Sequence, residues 1–433
     1  MSTVRWIGNA LAVAQVDTLT VGGTIEVADE FYATINGKVF KYIGASTTAA
    51  TVATGFAAAW NLLDSSLYPE FAEITAAATS GGALTLTADT AGKPFICTVS
   101  TTESGGGAAD SQTFGTSATI ANSGPKDWST AANWSGAAVP VNSDDVYIDQ
   151  GGDILYGLAQ SAVTLTSLNI LQSYTGKIGL PVTNKDNANS NQQYPEYRDQ
   201  YLAIGATSCT IGAGEGNGSG RLKLNFGSAQ TTVRVLNSGS PAETGIASII
   251  LKGTHASNAL HVTRGKVDVA RFPGETATLL TLNVGYADNV QSDSTVYLGP
   301  GVTLTNATIT QIGGKLTTNS ATSGTATVTL WNGDLYLQAG GQLGLAVRGG
   351  TCHYNTSGTL GGAPVVSGAG HLDFSQDLRA KTVTNPVEVY GEDAKVSDPN
   401  KVVGTLVLDM NEGSLSSNID IGRNVRITRG TPA

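Results

Sequence analysis

Between Ile246 and Gly358 the chain alternates short apolar runs with turn residues. Ile249-Ile250-Leu251, Val267-Asp268-Val269, Val296-Tyr297-Leu298, Val328-Thr329-Leu330 and Leu335-Tyr336-Leu337 are typical runs. Gly299-Pro300-Gly301, Asn332-Gly333-Asp334 and Gly340-Gly341 are typical separators. Apolar residues alternate with small polar ones, a period of two that predicts half-buried strands. Runs this short cannot bury an apolar face alone, whereas stacked coils can each cover the last. The expected fold class is mainly β: a small N-terminal α+β domain followed by a right-handed parallel β-helix (β-solenoid). The repeat is ragged, so the rungs cannot be phased from the sequence, and an antiparallel sandwich is the competing reading.

Four segments are expected. Residues 1–30 form an N-terminal arm, in which Arg5 and Trp6 are candidate contact residues, docking on the chain itself or on a partner. Residues 31–102 form an α+β anchoring module. There Phe31 to Ile43 alternates around Asn36-Gly37, a strong hairpin signal. Val52, Phe56, Trp60 and Leu63 fall on one face of a helix over 48–63, with Ser46 or Thr47 as its cap. Strands over 73–75, 84–87 and 95–99 complete the module. Residues 103–125, beginning Ser104-Gly105-Gly106-Gly107, form a linker. Residues 126–433 form the solenoid. Its loop at 181–201 is rich in Asn and Gln, including Asn187, Asn189, Asn191 and Gln192. It ends with Tyr194, Tyr197 and Tyr201, a mixture suited to contact with a subunit or receptor.

Two stretches carry a resemblance. Thr34-Ile35-Asn36-Gly37, Tyr42, the Ala-rich helix 49–61, Phe71-Ala72-Glu73-Ile74-Thr75-Ala76 and the run Leu84 to Phe95 together resemble a small module recurrent in tailed-bacteriophage virion proteins. Asp127-Trp128 and Asn133-Trp134-Ser135-Gly136 resemble the start of many bacterial and phage surface β-helices, where a Trp pair precedes the first coil. The resemblance implies a virion structural protein, and it implies no chemistry and no site residues. Trp128 and Trp134 are read as a cap over apolar core and open strand edges. A sugar-stacking platform is the alternative.

Composition agrees with an all-β scaffold. Charged residues are 13% of the 433, glycines number 54, and apolar residues are 40%, too many for a disordered chain. The net charge of −10 comes without a basic block, which argues against a nucleic-acid surface. No signal peptide or membrane-length apolar stretch is read, so folding in a host cytoplasm and no membrane partner are expected. Cys97, Cys209 and Cys352 are far apart and odd in number, as separate thiols would be.

Candidate chemistry is sparse. The run Gly212 to Gly220 lacks the Lys-Ser or Lys-Thr and the helix of a phosphate loop, and reads as a flexible turn. Glycan-degrading solenoids need clustered carboxylates, and the visible candidates are Asp268 with Arg271 and Asp373 with His371. His255, His261, His353 and His371 show no metal-ligand spacing. Asp144, Asp145 and Asp149 lack a calcium-repeat context. No Gly-x-Ser-x-Gly supports a Ser-His-Asp triad. No catalytic, cofactor-binding or metal-ligating residue is therefore expected.

The expectation is a non-enzymatic phage structural protein, with a capsid decoration or cement role preferred to a tail fibre. Its partners would be the major capsid protein or another virion protein and copies of itself, a trimer by preference. A glycan-degrading tailspike that meets a host surface glycan, and a bacterial surface adhesin, are the rivals.

Overall fold

The computed structural model describes residues 2–64, 67–103, 111–185, 193–285, 293–341, 344–411, 413–414, 419–421 and 425–429. The protein is mainly β, and most of its strands belong to one large parallel sheet system, as a solenoid requires. From Leu222 onward the strands of this system pair with a strand one coil further on and not with the next strand in sequence. On one face, Gly265–Val269, Ser294–Leu298, Lys315–Thr318, Asp334–Leu337, Thr351–Tyr354, His371–Asp373 and Lys395–Asp398 follow one another in parallel register. On a second face, Thr232–Val235, Ala259–Val262, Thr281–Val284, Thr308–Gln311 and Thr327–Leu330 do the same. Short parallel pairings such as Ala277–Thr278 with Val302–Thr305 supply a third side. The antiparallel-sandwich reading is thereby replaced.

The register phases the rungs that the sequence left unphased. Val267, Val296, Leu316, Leu335, Cys352, Leu372 and Val396 stack directly, and all are fully buried. They belong to one apolar cluster that runs from Val4 to Leu408. Their alternate neighbours point outward, which is the period of two read from the sequence. Turns of unequal length separate the rungs, but their corners repeat. Gly314, Gly333 and Gly350 each precede paired strand residues, with φ of +70°, +90° and +67°. A Cβ on Gly333 would lie 2.2 Å from the Gly314 carbonyl oxygen, and one on Gly350 2.3 Å from that of Gly333. Only glycine fits a corner that is both left-handed and stacked on itself.

The N-terminal arm is divided between two bodies. Thr3–Arg5 pairs in parallel with Asp145–Ile148, the first strand of the stack, and covers its open edge. Val16–Gly22 instead lies inside the α+β module, between Ala83–Ala88 and Thr113–Ile120. The module is thus inserted into the chain of the solenoid rather than strung ahead of it. The linker expectation is corrected too: Thr113–Ile120 is an edge strand of the module. It escapes a periodicity reading because Phe114 is its one buried side chain. Residues 104–107 lie outside the described residues.

Within the module the hairpin forms as expected. Ile35 pairs with Lys38 across Asn36-Gly37, which have φ of 49° and 90°. The helix spans Ala49–Asn61 and buries Val52, Phe56 and Trp60. Its N-cap residue is Thr48, which makes no side-chain cap bond, while Ser46 Oγ accepts the Thr48 N–H at 3.1 Å. Phe40, Phe56, Trp60 and Phe71 pack mostly edge to face into a second core. Trp60 Nε1 donates to the Ile74 carbonyl at 2.8 Å, tying helix to sheet. No helix among the described residues is long and apolar enough to cross a membrane.

Candidate functional site

The five expected contact residues all make contacts within the chain. Trp6 is fully buried, 5.0 Å from Trp134 and nearly perpendicular to it, and Trp134 lies 4.5 Å from Trp128. The three rings close the end of the solenoid. Trp134 Nε1 donates to the Trp128 carbonyl at 2.7 Å, and Asn133 Nδ2 donates to the carbonyls of Gly124 and Asp127. This burial removes the sugar-platform alternative for the Trp pair, since a stacked sugar needs an open ring face. Arg5 pairs with Asp149 and lies over the Tyr147 ring.

Tyr194 and Tyr197 face the α+β module, not solvent. Both hydroxyls donate to the Glu73 carboxylate, at 3.0 and 2.6 Å. Lys93 and Arg198 close ion pairs on the same carboxylate, and Arg198 also reaches Glu196 at 3.3 Å. Burial alone would raise the Glu73 pKa. Arg198 and Lys93 outweigh it and hold the carboxyl below its ordinary value. Tyr201 is buried beneath Lys252, whose Nζ lies 3.8 Å from its ring centre. The expectation of an outward-facing surface at these tyrosines is therefore corrected: the half-buried Glu73 needs donors, and the loop supplies them. Asn187, Asn189, Asn191 and Gln192 lie outside the described residues.

Polar chemistry gathers instead on the outward columns of the first face. One column runs Asp268, Tyr297, Thr317, Tyr336, His353, Asp373, Ser397. Beside it runs Lys266, Thr295, Lys315, Asp334, Thr351, His371, Lys395. At one end the segment 241–247 rises as a wall and encloses a cleft of about 530 Å³, lined by Glu243, Lys266, Asp268, Arg271, Tyr297 and Lys315 among others. Arg271 is 3.7 Å from Asp268, and its guanidinium lies 4.3 Å from the Tyr297 ring centre. Burial raises the Asp268 pKa against the Ala247 N–H, which donates to its carboxylate at 3.1 Å. Glu243 accepts the Val182 N–H at 3.1 Å and faces Arg221 at 3.4 Å.

At the other end the sequence pairing of Asp373 with His371 is replaced. Asp373 accepts from His353 Nδ1 at 2.9 Å, and His353 stacks on Tyr336. Burial would raise the Asp373 pKa, but the bonds from His353 and Ser375 bring it down to about 2. His371 Nε2 lies 2.8 Å from Ser397 Oγ, and burial lowers the His371 pKa. A hydrolytic triad needs one imidazole bonded to both hydroxyl and carboxylate. Here two different histidines hold them, and Ser397 is buried. Among the described residues no group of three or more metal-ligating side chains gathers. Cys209 and Cys352 are buried thiols, and Cys97 is partly buried, none of them in a disulfide.

Sequence reasoning found Asp268 with Arg271 and missed Glu73, Lys93, Arg198, Lys266 and Lys315. A charged residue in an otherwise hydroxylated loop or strand was the available signal. Glu73 and Arg198 meet from separate bodies, and Lys266 and Lys315 come together only through the register of the rungs. Comparison with protein-family models, with curated proteins and with solved structures gives no match.

Proposed function

We propose that the chain is a non-enzymatic structural protein of a tailed-phage particle, a capsid decoration or cement protein whose right-handed β-helix projects from the module that anchors it. The observation that carries this reading is the build. A capped parallel stack and an inserted module are joined at Glu73 by a half-buried ion pair to Arg198 and hydrogen bonds from Tyr194 and Tyr197, as a load-resisting surface part would be. The module's exposed apolar side chains support its anchoring role: Val39 and Ile43 lie on the edge strand Lys38–Ile43, with Leu62, Leu67 and Ile96 also exposed. The pattern resemblance over residues 34–95 points the same way. The partners that follow are the major capsid protein and further copies of the chain, as a trimer.

The test is a mass-spectrometric ratio of this chain to the major capsid protein in purified particles. A decoration protein should reach hundreds of copies, and a fibre or spike only tens. Absence from particles would overturn the virion reading. A glycan-degrading spike is the second reading, favoured by Asp268 and Glu243 in one cleft, the former with its pKa raised. Each carboxylate also holds a cation and a backbone N–H, which supports a structural role for both.

A further inference from the structure

We infer that the cleft beneath the 241–247 wall binds an anionic saccharide, one bearing carboxylate or phosphate groups. Lys266 and Lys315 both line it, both are exposed, and neither has a carboxylate partner among the described residues. They stand on the same column two rungs apart, with Thr295 between them. Rung spacing puts their backbones roughly 10 Å apart, a span that suits anionic groups on separate sugars. Arg271 adds a third cation from the side. Arg271 is paired with Asp268, whereas the two lysines have no paired carboxylate among the described residues, Lys315 Nζ lying 4.5 Å from the Tyr336 ring centre. Such lysines are unexpected on a chain of net charge −10, and they give the cleft a local sign opposite to that of the whole molecule.

The remaining lining suits a sugar. Thr295 and Thr317 offer hydroxyls from adjacent columns, and Tyr297 presents a half-buried ring. The Tyr297 hydroxyl accepts Asn319 Nδ2 at 2.6 Å, which fixes the ring before any ligand arrives. Asp268 lies underneath with its carboxylate facing Arg271 and the Ala247 N–H, and so holds the wall in place. The volume of about 530 Å³ is that of a small-ligand cleft and too small for a protein partner. The cleft's chemistry stands whether or not the chain belongs to a particle.

The experiment is calorimetric titration of the full chain with three probes: tetragalacturonate, a glycerol-phosphate oligomer and neutral maltotetraose. Binding of at least one anionic probe is expected, with maltotetraose silent, and the anionic probe that binds identifies carboxylate or phosphate as the source. The double variant Lys266→Ala/Lys315→Ala should weaken that binding about tenfold or more, and added salt should weaken it in the wild type. Lys315→Arg should retain it. Both lysines are exposed, so unchanged circular dichroism and melting temperature check that the variants fold. Silence of both anionic probes, equal binding of maltotetraose, or undiminished binding in the double variant would overturn the proposal.

Discussion

Lys223 shows how a single residue departs from the plan of the stack. It stands on the strand Leu222–Asn225 and is fully buried, with its Nζ 2.9 Å from Gln200 Oε1 and about 6 Å from the Phe272 and Tyr201 ring centres. Burial lowers its pKa from 10.5 to about 8. The folded state therefore holds this proton less tightly than the unfolded chain. The cost is full below pH 8 and vanishes as pH rises through 10.5, where the amine is neutral in both states. Lys223→Met should stabilise the protein by about 1–3 kcal/mol at pH 7. That gain should shrink between pH 8 and 10.5, read as the difference in urea midpoints at pH 7 and 10. A constant gain would mean that packing, not charge, sets the cost.

At the scale of elements, the N-terminal strand decides whether the stack has an open end. Thr3–Arg5 occupies the hydrogen-bonding edge of Asp145–Ile148, and Trp6 fills the space above Trp134. Neither contact is local in sequence, because the whole module intervenes. Trp6→Ala should cost about 3–5 kcal/mol and lower the melting temperature. Deleting residues 2–8 should add concentration-dependent self-association, visible by size-exclusion chromatography, because a bare strand edge pairs with another chain. A deletion variant that stays monodisperse would show that the edge needs no cover.

For the whole molecule, the joint between module and solenoid is the deciding contact. Glu73 gathers Lys93 from its own module and Arg198, Tyr194 and Tyr197 from the solenoid loop. Removing the carboxylate leaves Lys93 half-buried without its paired counter-charge and Arg198 with Glu196 alone, so Glu73→Ala should weaken docking by about 3 kcal/mol. Because the Glu73 pKa is lowered, its contribution is complete above the unfolded value of about 4.5. It is lost as pH falls through the folded value. Small-angle scattering should show the two bodies separating in Glu73→Ala at neutral pH, and in the wild type only on acidification. A wild type that stays compact in acid would assign the docking to apolar contacts instead.

Local pattern settled much of the fold. Alternation in Val267-Asp268-Val269 or Leu335-Tyr336-Leu337 fixes which side chains face inward, because a strand has a period of two whatever its partner. Asn36-Gly37 fixes a hairpin, and Val52, Phe56 and Trp60 fix one face of a helix, for equally local reasons. Pairing across distance was left to the tertiary structure. It sent Thr3–Arg5 to the solenoid and Thr113–Ile120 to the module, since neither strand carries enough apolar side chains to announce its place. It turned Tyr194 and Tyr197 inward onto Glu73, and it gave Asp373 to His353 in place of His371. Charged and hydroxylated side chains take whatever partner the fold brings within reach, and a sequence records their identity without the neighbour that satisfies them.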